Sequence, residues 1–435
     1  MKKTVLCTLL LLLTTCVMAQ KWTCYNPKNS GINSGNILAV APDAKGNLWV
    51  GTTQGLNRFS NGVWTDYAEI NEKLKDQFVN CLVPDGNTLW IGTDDYGVIE
   101  FNDGKWYEHA EETRRLNMKY IRDIAIDHAG GKWIGVTLSG LVQYDGYNWY
   151  KFTASDSELL SDFILCVVID KRDRKWVCTN DGLCVYDGRR WTSYTTKNSK
   201  LPHNICLSLA IDKDNVKWIG TLNGLVRFDG ENWRIYDSYN SPIPGNQVND
   251  LAFDDEGHLW MATDGGVAVF DCGSRWDTFR AGDKLPECMF QDIAVDRNNN
   301  IWVGTDEKGL FCLSGYRMSN SEATDSSLLA ATRPDESGEP APNAKASSKK
   351  DMGSDTAAEE ERVRITPNLE EGTLSISMTS PTAEVTFFNS KGNKVRTVPK
   401  YSNNTNINIS KMKKGTYTVR VRTALGVRNV KFTLK

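Results

Sequence analysis

The chain has 435 residues, with 51 Lys and Arg against 54 Asp and Glu, 14 tryptophans and 11 cysteines. That length allows two or three domains, and a formal charge of −3 excludes a protein organised by bulk attraction to a polyanion. The balance hides an uneven distribution: from Glu361 onward there are fourteen Lys or Arg against four Glu and no Asp, so the preceding part is correspondingly acidic.

The first residues carry Lys2 and Lys3, an apolar run from Val5 to Leu13, and the small-residue end Val17-Met18-Ala19. This pattern predicts a secretory signal peptide over residues 1–19, cleaved after Ala19. Cys16 in Leu13-Thr14-Thr15-Cys16 offers lipidation as the alternative, although the residue before such a cysteine is normally smaller than threonine. No later apolar run is long enough for a membrane helix.

From residue 20 one phrase dominates. Asn47-Leu48-Trp49-Val50-Gly51-Thr52 returns around Trp90, Trp133, Trp176, Trp218, Trp260 and Trp302, at steps of 41, 43, 43, 42, 42 and 42 residues. Each unit opens with an apolar run ending in Asp, such as Ile164 to Asp170, which reads as a strand buried on both faces. A polar turn, the Trp-aliphatic-small-Thr strand, a turn ending in Gly and a third strand such as Gly224 to Phe228 follow. Asn61-Gly62, Asp103-Gly104, Asp145-Gly146, Asp187-Gly188 and Asp229-Gly230 accept the positive φ of tight hairpin turns and demand a fourth strand. That strand carries a second tryptophan at Trp64, Trp106, Trp149, Trp191, Trp233 and Trp276. Four strands at a period in the forties form a propeller blade.

The seventh unit lacks its second tryptophan and reads Ser314-Gly315-Tyr316-Arg317 at that place. At the other end, Trp22 stands 27 residues before Trp49, matching the 26 or 27 between each other second tryptophan and the next first one. The N-terminal strand is therefore expected to supply the outer strand of the last blade, which would remove an exposed sheet edge. The predicted fold is all-β: a seven-bladed β-propeller over 20–318.

Residues 319–360 are rich in Ser, Ala, Pro, Glu, Asp and Lys and contain no aromatic side chain. Such a composition cannot bury enough apolar surface to offset the cost of ordering, and reads as a disordered linker. Alternation resumes in Thr373 to Met378, Glu384 to Phe388, Asn406 to Ile409 and Thr416 to Val421. Six or seven short antiparallel strands predict a small Ig-like β-sandwich over 361–435. Its basic residues alternate along strands without exposed aromatics, so nucleic-acid binding is excluded.

The repeated tryptophans read as blade-to-blade packing. Asp43, Asp85, Asp127, Asp170, Asp212, Asp254 and Asp296 close the first strand of each unit and are expected to bond the backbone of the next turn. Tracts such as Asp212-Lys213-Asp214-Asn215 lack a full calcium ligand set, and no metal or cofactor is predicted. Nine cysteines follow the leader, most of them expected as buried small hydrophobes, with Cys178 and Cys184 as a candidate disulfide across a hairpin. His109, His128, His203 and His258 fall at unrelated repeat positions, His109 where Tyr67 or Tyr194 stands elsewhere, and no catalytic arrangement is legible. Because packing accounts for what repeats, function is sought in what varies. The turns between second and third strands should share one face with the segments joining blades, and they contain Asp94, Asp95, Tyr96, Asn180, Asp181, Asn223, Asp264, Asp306 and Glu307. This polar rim at the channel mouth is the candidate binding site.

The phrases Leu48-Trp49-Val50-Gly51-Thr52 with Gly55-Leu56 and Trp218-Ile219-Gly220-Thr221 with Gly224-Leu225-Val226-Arg227-Phe228 resemble two-component regulator propeller repeats, as do the joining segments Asn198 to Pro202 and Asn240 to Pro244. In that family the repeats form the periplasmic sensor region of hybrid histidine kinases that respond to polysaccharide fragments. This chain has one ring and no membrane helix, kinase or receiver segment, so what the resemblance implies is ligand binding, of a glycan or a protein. Thr366-Pro367-Asn368 with Gly372 to Ile376, Asn389 to Val395 and Ile409 to Tyr417 resemble the type IX secretion sorting tail of Bacteroidetes, with Leu369 where a second proline is common. That resemblance implies a partner in the secretion machinery for 361–435 and an extracellular or cell-surface location, with the periplasm as the alternative. The expected function is an exported, non-enzymatic ligand- or partner-binding propeller. The alternatives are a periplasmic sensor-like accessory to two-component signalling, and a propeller lyase or hydrolase.

Overall fold

The computed structural model describes residues 20–318 and, towards the C-terminus, 364–368, 373–377, 382–389, 394–402, 406–409, 412–423 and 426–434. The leader, Cys16 and the 319–360 linker lie outside the described residues, among which no helix is long and apolar enough to cross a membrane. Two compact units divide the chain, Met1–Asn320 and Ser321–Lys435.

The first unit contains seven four-stranded antiparallel sheets. In blade 1 the strands are Ile37–Pro42, Leu48–Thr52, Gly55–Ser60 and Val63–Asp66. The inner strands of blades 2 to 7 are Val79–Asp85, Ile121–Ile126, Ile164–Ile169, Cys206–Ile211, Val248–Phe253 and Phe290–Val295. Each inner strand contacts the next, and the seventh contacts the first, so the ring is closed. The predicted closure is present: Lys21–Tyr25 pairs antiparallel with Leu310–Ser314, Trp22 opposite Leu313 and Tyr25 opposite Leu310. Tyr25 reaches both sides of this seam, with ring centroids 5.8 Å from Trp302 of blade 7 and 5.7 Å from Trp64 of blade 1.

Each part of the Trp-x-Gly-Thr phrase has a packing reason. The first tryptophans are buried between blades, at 5% exposure or less. Glycine follows because the next inner strand comes close: a Cβ on Gly51 would sit 2.5 Å from the Val79 carbonyl oxygen. The threonine hydroxyl closes the turn to the third strand, as Thr221 Oγ1 donates to the Gly224 carbonyl at 2.8 Å and accepts the Asn223 N–H at 3.0 Å. The Asp that ends the inner strand bonds the turn backbone as expected. It also does something the sequence reading did not anticipate: Asp43, Asp127, Asp170, Asp212, Asp254 and Asp296 each accept the indole N–H of the tryptophan six residues later, at 2.9–3.2 Å.

One element was not foreseen, a helix at Ala110–Leu116 in the connection from blade 2 to blade 3. Glu111 and Glu112 in its first turn and Arg114 and Arg115 in its last complement the helix dipole, and Asn117 ends it in the left-handed conformation at φ 54°.

The disulfide expectation is overturned. Cys178 pairs with Leu183 and Cys184 with Val177, so the two sulfurs leave the hairpin on opposite faces. Cys178 Sγ lies 3.8 Å from the Ser208 carbonyl, Cys184 Sγ accepts the Leu160 N–H at 3.3 Å, and all nine described cysteines are free thiols.

The second unit is a two-sheet sandwich. Arg364–Asn368, Thr373–Ser377 and Asn406–Asn408 form one sheet; Lys394–Ser402, Thr382–Asn389, Gly415–Thr423 and Gly426–Leu434, in that order, form the other. Leu374, Ile376 and Ile407 from the first meet Val385, Phe387, Val419 and Val421 from the second in one core.

Candidate functional site

Six of the seven turns between second and third strands are held by a threonine hydroxyl, and a second set of bonds ties each turn to the segment that leads into its own inner strand. The backbone N–H groups of Thr53, Asp94, Thr137, Asn180, Leu222, Asp264 and Asp306 donate to the carbonyls of Asn36, Phe78, Tyr120, Phe163, Ile205, Gln247 and Met289 at 3.1–3.4 Å. All seven turns and all seven entry segments therefore lie at one end of the channel.

The candidate rim residues occupy that face but differ in what they offer. Asp95, Tyr96, Asp181 and Asn223 are exposed. Asp94 accepts the Asn80 side-chain amide at 2.6 Å, Asp181 that of Asn204 at 3.1 Å, and Asp264 and Asp306 accept the backbone N–H of Gln247 and Met289 at 3.2 Å. Asp181, Asp264 and Asp306 thus hold entry segments in place with one oxygen, and Asp94 the start of its own inner strand. Glu307 is half-buried, and Asn180 Oδ1 is shut off from water without a hydrogen-bond partner.

Around blades 2 and 3 the rim becomes apolar. Tyr120 N–H donates to the Asp94 carbonyl at 2.8 Å and the Thr137 N–H to the Tyr120 carbonyl at 3.1 Å, which brings Tyr96, Tyr120 and Leu138 to neighbouring segments. These three side chains are 40%, 46% and 41% exposed, and Tyr120 and Leu138 hold φ at 59° and 67°. Blade 3 has Val136 where the other blades have threonine, so its turn lacks the hydroxyl clasp.

Below the rim, the sequence reading missed a set of carboxylates. Every inner strand has a register shift after its first residue, and the position that follows holds Ala39, Cys81, Asp123, Cys166, Ser208, Asp250 or Asp292. The three aspartates span to the next blade, accepting the Val167, Ile293 and Val40 N–H groups at 2.7, 2.9 and 2.6 Å. Burial pushes Asp123 and Asp250 up to about 6, against the pull of these backbone bonds. Burial, and then the nearby Asp250 charge, hold Asp292 well above the usual carboxylate range. Arg122, exposed on the inner strand of blade 3, is the one cation of the inner strands. Three acids in one column of otherwise small or apolar residues were visible in the repeat alignment, and that was the signal available.

None of the histidines lies on an inner strand. His109 stacks 6.0 Å from Trp90 and is 2.5 Å from Glu100 Oε1, which bears out its packing role. His258 pairs with Asp254 at 3.0 Å and His128 lies 3.7 Å from Asp173, both in turns at the opposite end of the blades. His203 belongs to an entry segment on the rim face, where its Nδ1 accepts the Ile205 N–H at 3.0 Å and burial lowers its pKa.

Two family models match the chain. Two component regulator propeller repeats match residues 31–54, 242–265 and 284–307, and a secretion system C-terminal sorting domain matches 364–435. No curated protein matches the sequence significantly. Among solved structures, an extracellular domain assigned to a hybrid two component system of B. thetaiotaomicron has a TM-score of 0.60 at 18% identity, over 95% of this chain and 57% of that one. PorZ of Porphyromonas gingivalis, described as an essential surface component of the type-IX secretion system, has a TM-score of 0.51 at 14% identity, over 95% and 60%. Virginiamycin B lyase from Staphylococcus aureus has a TM-score of 0.55 at 12% identity, over 68% and 99%. At these identities the likeness is one of fold, and the chain spans little more than half the length of the first two neighbours. The chain thus carries two component regulator propeller repeats and ends in a secretion system C-terminal sorting domain, and that tail marks it as secreted or held at the cell surface.

Proposed function

We propose that the protein is an exported, non-enzymatic binding protein whose ligand seats on the rim face of the propeller. The observation that carries this reading is the patch on blades 2 and 3. Two tyrosines and a leucine are exposed on backbone-bonded neighbouring segments, two of them in a conformation that side-chain-bearing residues adopt at a cost of about 1–3 kcal/mol, on the same face as the acidic turns. Strain and exposed apolar surface are both unfavourable for folding alone, and a ligand that covers the patch gives them a use. In this reading Asp95, Tyr96, Asp181 and Asn223 meet the ligand, while Asp94, Asp264 and Asp306 position the segments around it; residues 1–19 direct export, 319–360 tether, and 361–435 engage the secretion machinery.

The test is a glycan and protein-partner array probed with the full chain, followed by the D94N/Y96A/D181N variant. Unchanged affinity of that variant for every ligand found would dispose of the site. The fold likeness to a two-component sensor domain supports a second reading, an accessory that passes ligand occupancy to a separate signalling protein. Turnover of a bound molecule would instead favour an enzyme.

A further inference from the structure

In blade 4 the glycine of the repeated phrase is replaced by Cys178, and the fold sets that cysteine directly across from another. Cys166 of the inner strand Ile164–Ile169 and Cys178 of the second strand Lys175–Thr179 are register partners, so both side chains leave the sheet on one face. The corresponding pairs in other blades show how close such side chains come. Cys81 faces Gly92 and Ser208 faces Gly220, and a Cβ built on either glycine would run into the Cys81 Sγ or the Ser208 Oγ. Blade 4 alone among the seven carries a cysteine on both strands at this position, and there the two thiols meet.

Their surroundings differ. Cys178 is fully buried against blade 5, its Sγ 3.8 Å from the Ser208 carbonyl, and burial holds its thiol well above the usual range. Cys166 is only partly buried. Residues directly opposite in an antiparallel pair have Cα atoms about 4.5–5.5 Å apart, within the ~4.4–6.8 Å that a disulfide spans. The register shift between Ile164 and Cys166 leaves Leu165 without an opposite residue, and a bulge of this kind supplies the small backbone adjustment that closing the bond needs.

We propose that Cys166 and Cys178 form a dithiol site that a small external disulfide converts to a cross-strand disulfide within blade 4. The oxidant is small because Cys166 lies on an inner strand, inside the ring. Cys166, the more accessible thiol, reacts first: its thiolate attacks one sulfur of the oxidant, forming a mixed disulfide and releasing a thiolate that takes up the Cys166 proton. Cys178 then attacks Cys166 Sγ, closing the Cys166–Cys178 bond and releasing the second small thiol with the Cys178 proton. The two cysteines lose two electrons and the external disulfide gains them. Export takes the chain out of the reducing cytoplasm, where such a bond persists. The bond would tie the inner strand to the second strand immediately before Thr179, whose hydroxyl closes the rim turn of Asn180 and Asp181. The inference concerns thiol chemistry and stands apart from whatever ligand the rim takes.

In the experiment the full chain is reduced, freed of reductant and incubated under native conditions with excess oxidised glutathione. Remaining thiols are alkylated in denaturant, and the tryptic digest is read by mass spectrometry. The expected product is a pair of peptides joined through Cys166 and Cys178, lighter by two hydrogens and preceded by a glutathione adduct on Cys166. Cys178 and Cys184 share the tryptic peptide Trp176–Arg189, so C184S is run beside the parent and is expected to keep the link. C206S, which removes a thiol of the neighbouring blade from the same core, is expected to keep it as well. C178G gives blade 4 the glycine that five other blades carry, and with an unchanged melting curve it is expected to lose the link and leave Cys166 as the glutathione adduct or the alkylated thiol. The proposal is overturned if both cysteines of the parent are recovered alkylated, if the parent stops at the Cys166 adduct, if the link joins Cys178 to Cys184 or Cys166 to Cys206, or if it survives in C178G.

Discussion

The indole N–H of Trp90 is buried without a hydrogen-bond partner, while Asp85, which holds the place of its acceptor in the other six blades, lies 3.2 Å from Lys132 instead. The cause is one missing residue. Asp85 precedes its tryptophan by five positions where the others precede theirs by six, and Asp85 pairs directly with Thr88 across a two-residue turn. Lys132 covers the Trp90 ring at 4.9 Å, a cation over an aromatic face that offsets part of the loss.

Lengthening the turn is a direct prediction. Inserting one glycine between Gly86 and Asn87 restores the six-residue spacing and gives Trp90 an acceptor. The expected gain is about 1 kcal/mol, read as a higher denaturant midpoint. A lower midpoint would show that spacing is not what separates the two residues.

The complementary loss is expected at Asp170, whose carboxylate is fully buried, accepts the Trp176 indole at 3.0 Å and pairs with Arg174 at 2.6 Å. Lys217 of the next blade lies 3.6 Å from the same oxygen and 4.9 Å from the Trp176 ring. Asp170→Ala removes the acceptor and leaves two cations uncompensated, so a cost of about 3–5 kcal/mol is expected. Asp85→Ala, at a carboxylate that is 41% exposed, should cost less than about 1 kcal/mol. Chemical denaturation of both variants checks the ratio, and equal costs would refute the role given to the buried bond.

The pH dependence runs in two directions. Burial alone would raise Asp170, but hydrogen bonds from Trp176, Arg174 and the turn backbone hold it at about 2, so its contribution is present above about 4 and lost as pH falls towards 2. Asp123 and Asp250, raised to about 6, favour the folded state when protonated; their contribution is present below about 4 and lost as pH rises through 6. The melting temperature should therefore peak on the acidic side of neutrality. D123N/D250N should flatten its fall between pH 4 and 7 without touching the acid limb. A fall of the same size in the double variant would remove these two groups as its source.

Ring closure should be costly to undo. Deleting residues 20–25 strips blade 7 of its outer strand and takes Trp22 from Phe279 and Tyr25 from Trp302. Tyr25→Ala alone is expected to cost about 2–4 kcal/mol, because the ring bridges blades 7 and 1. Differential scanning calorimetry reads both variants, and a deletion that melts no lower than the parent would contradict the closure as a stabilising device.

Blade count, strand order and the N-terminal closing strand were legible in the residues because each rests on local chemistry repeated many times: an indole every 41–43 residues, a glycine where backbones meet, a tight-turn pair before each outer strand. The helix at Ala110–Leu116 went unread for the opposite reason, since it occurs once and no other blade provides a comparison. For the candidate site, the sequence marked which turns share a face. It could not say which of their side chains are spent on bonds to neighbouring segments, because those bonds join Asp94 to Asn80 through the strand register of blade 2 and Asp181 to Asn204 across to the segment entering blade 5, residues 14 and 23 positions apart. The exposure of Tyr96, Tyr120 and Leu138 on neighbouring segments, the carboxylates reaching from one blade to the backbone of the next, and the opposed faces of Cys178 and Cys184 are likewise facts of register and closure. A periodic sequence determines its scaffold through contacts repeated in every unit, whereas the properties of a site arise where units differ and meet, and there the tertiary structure decides.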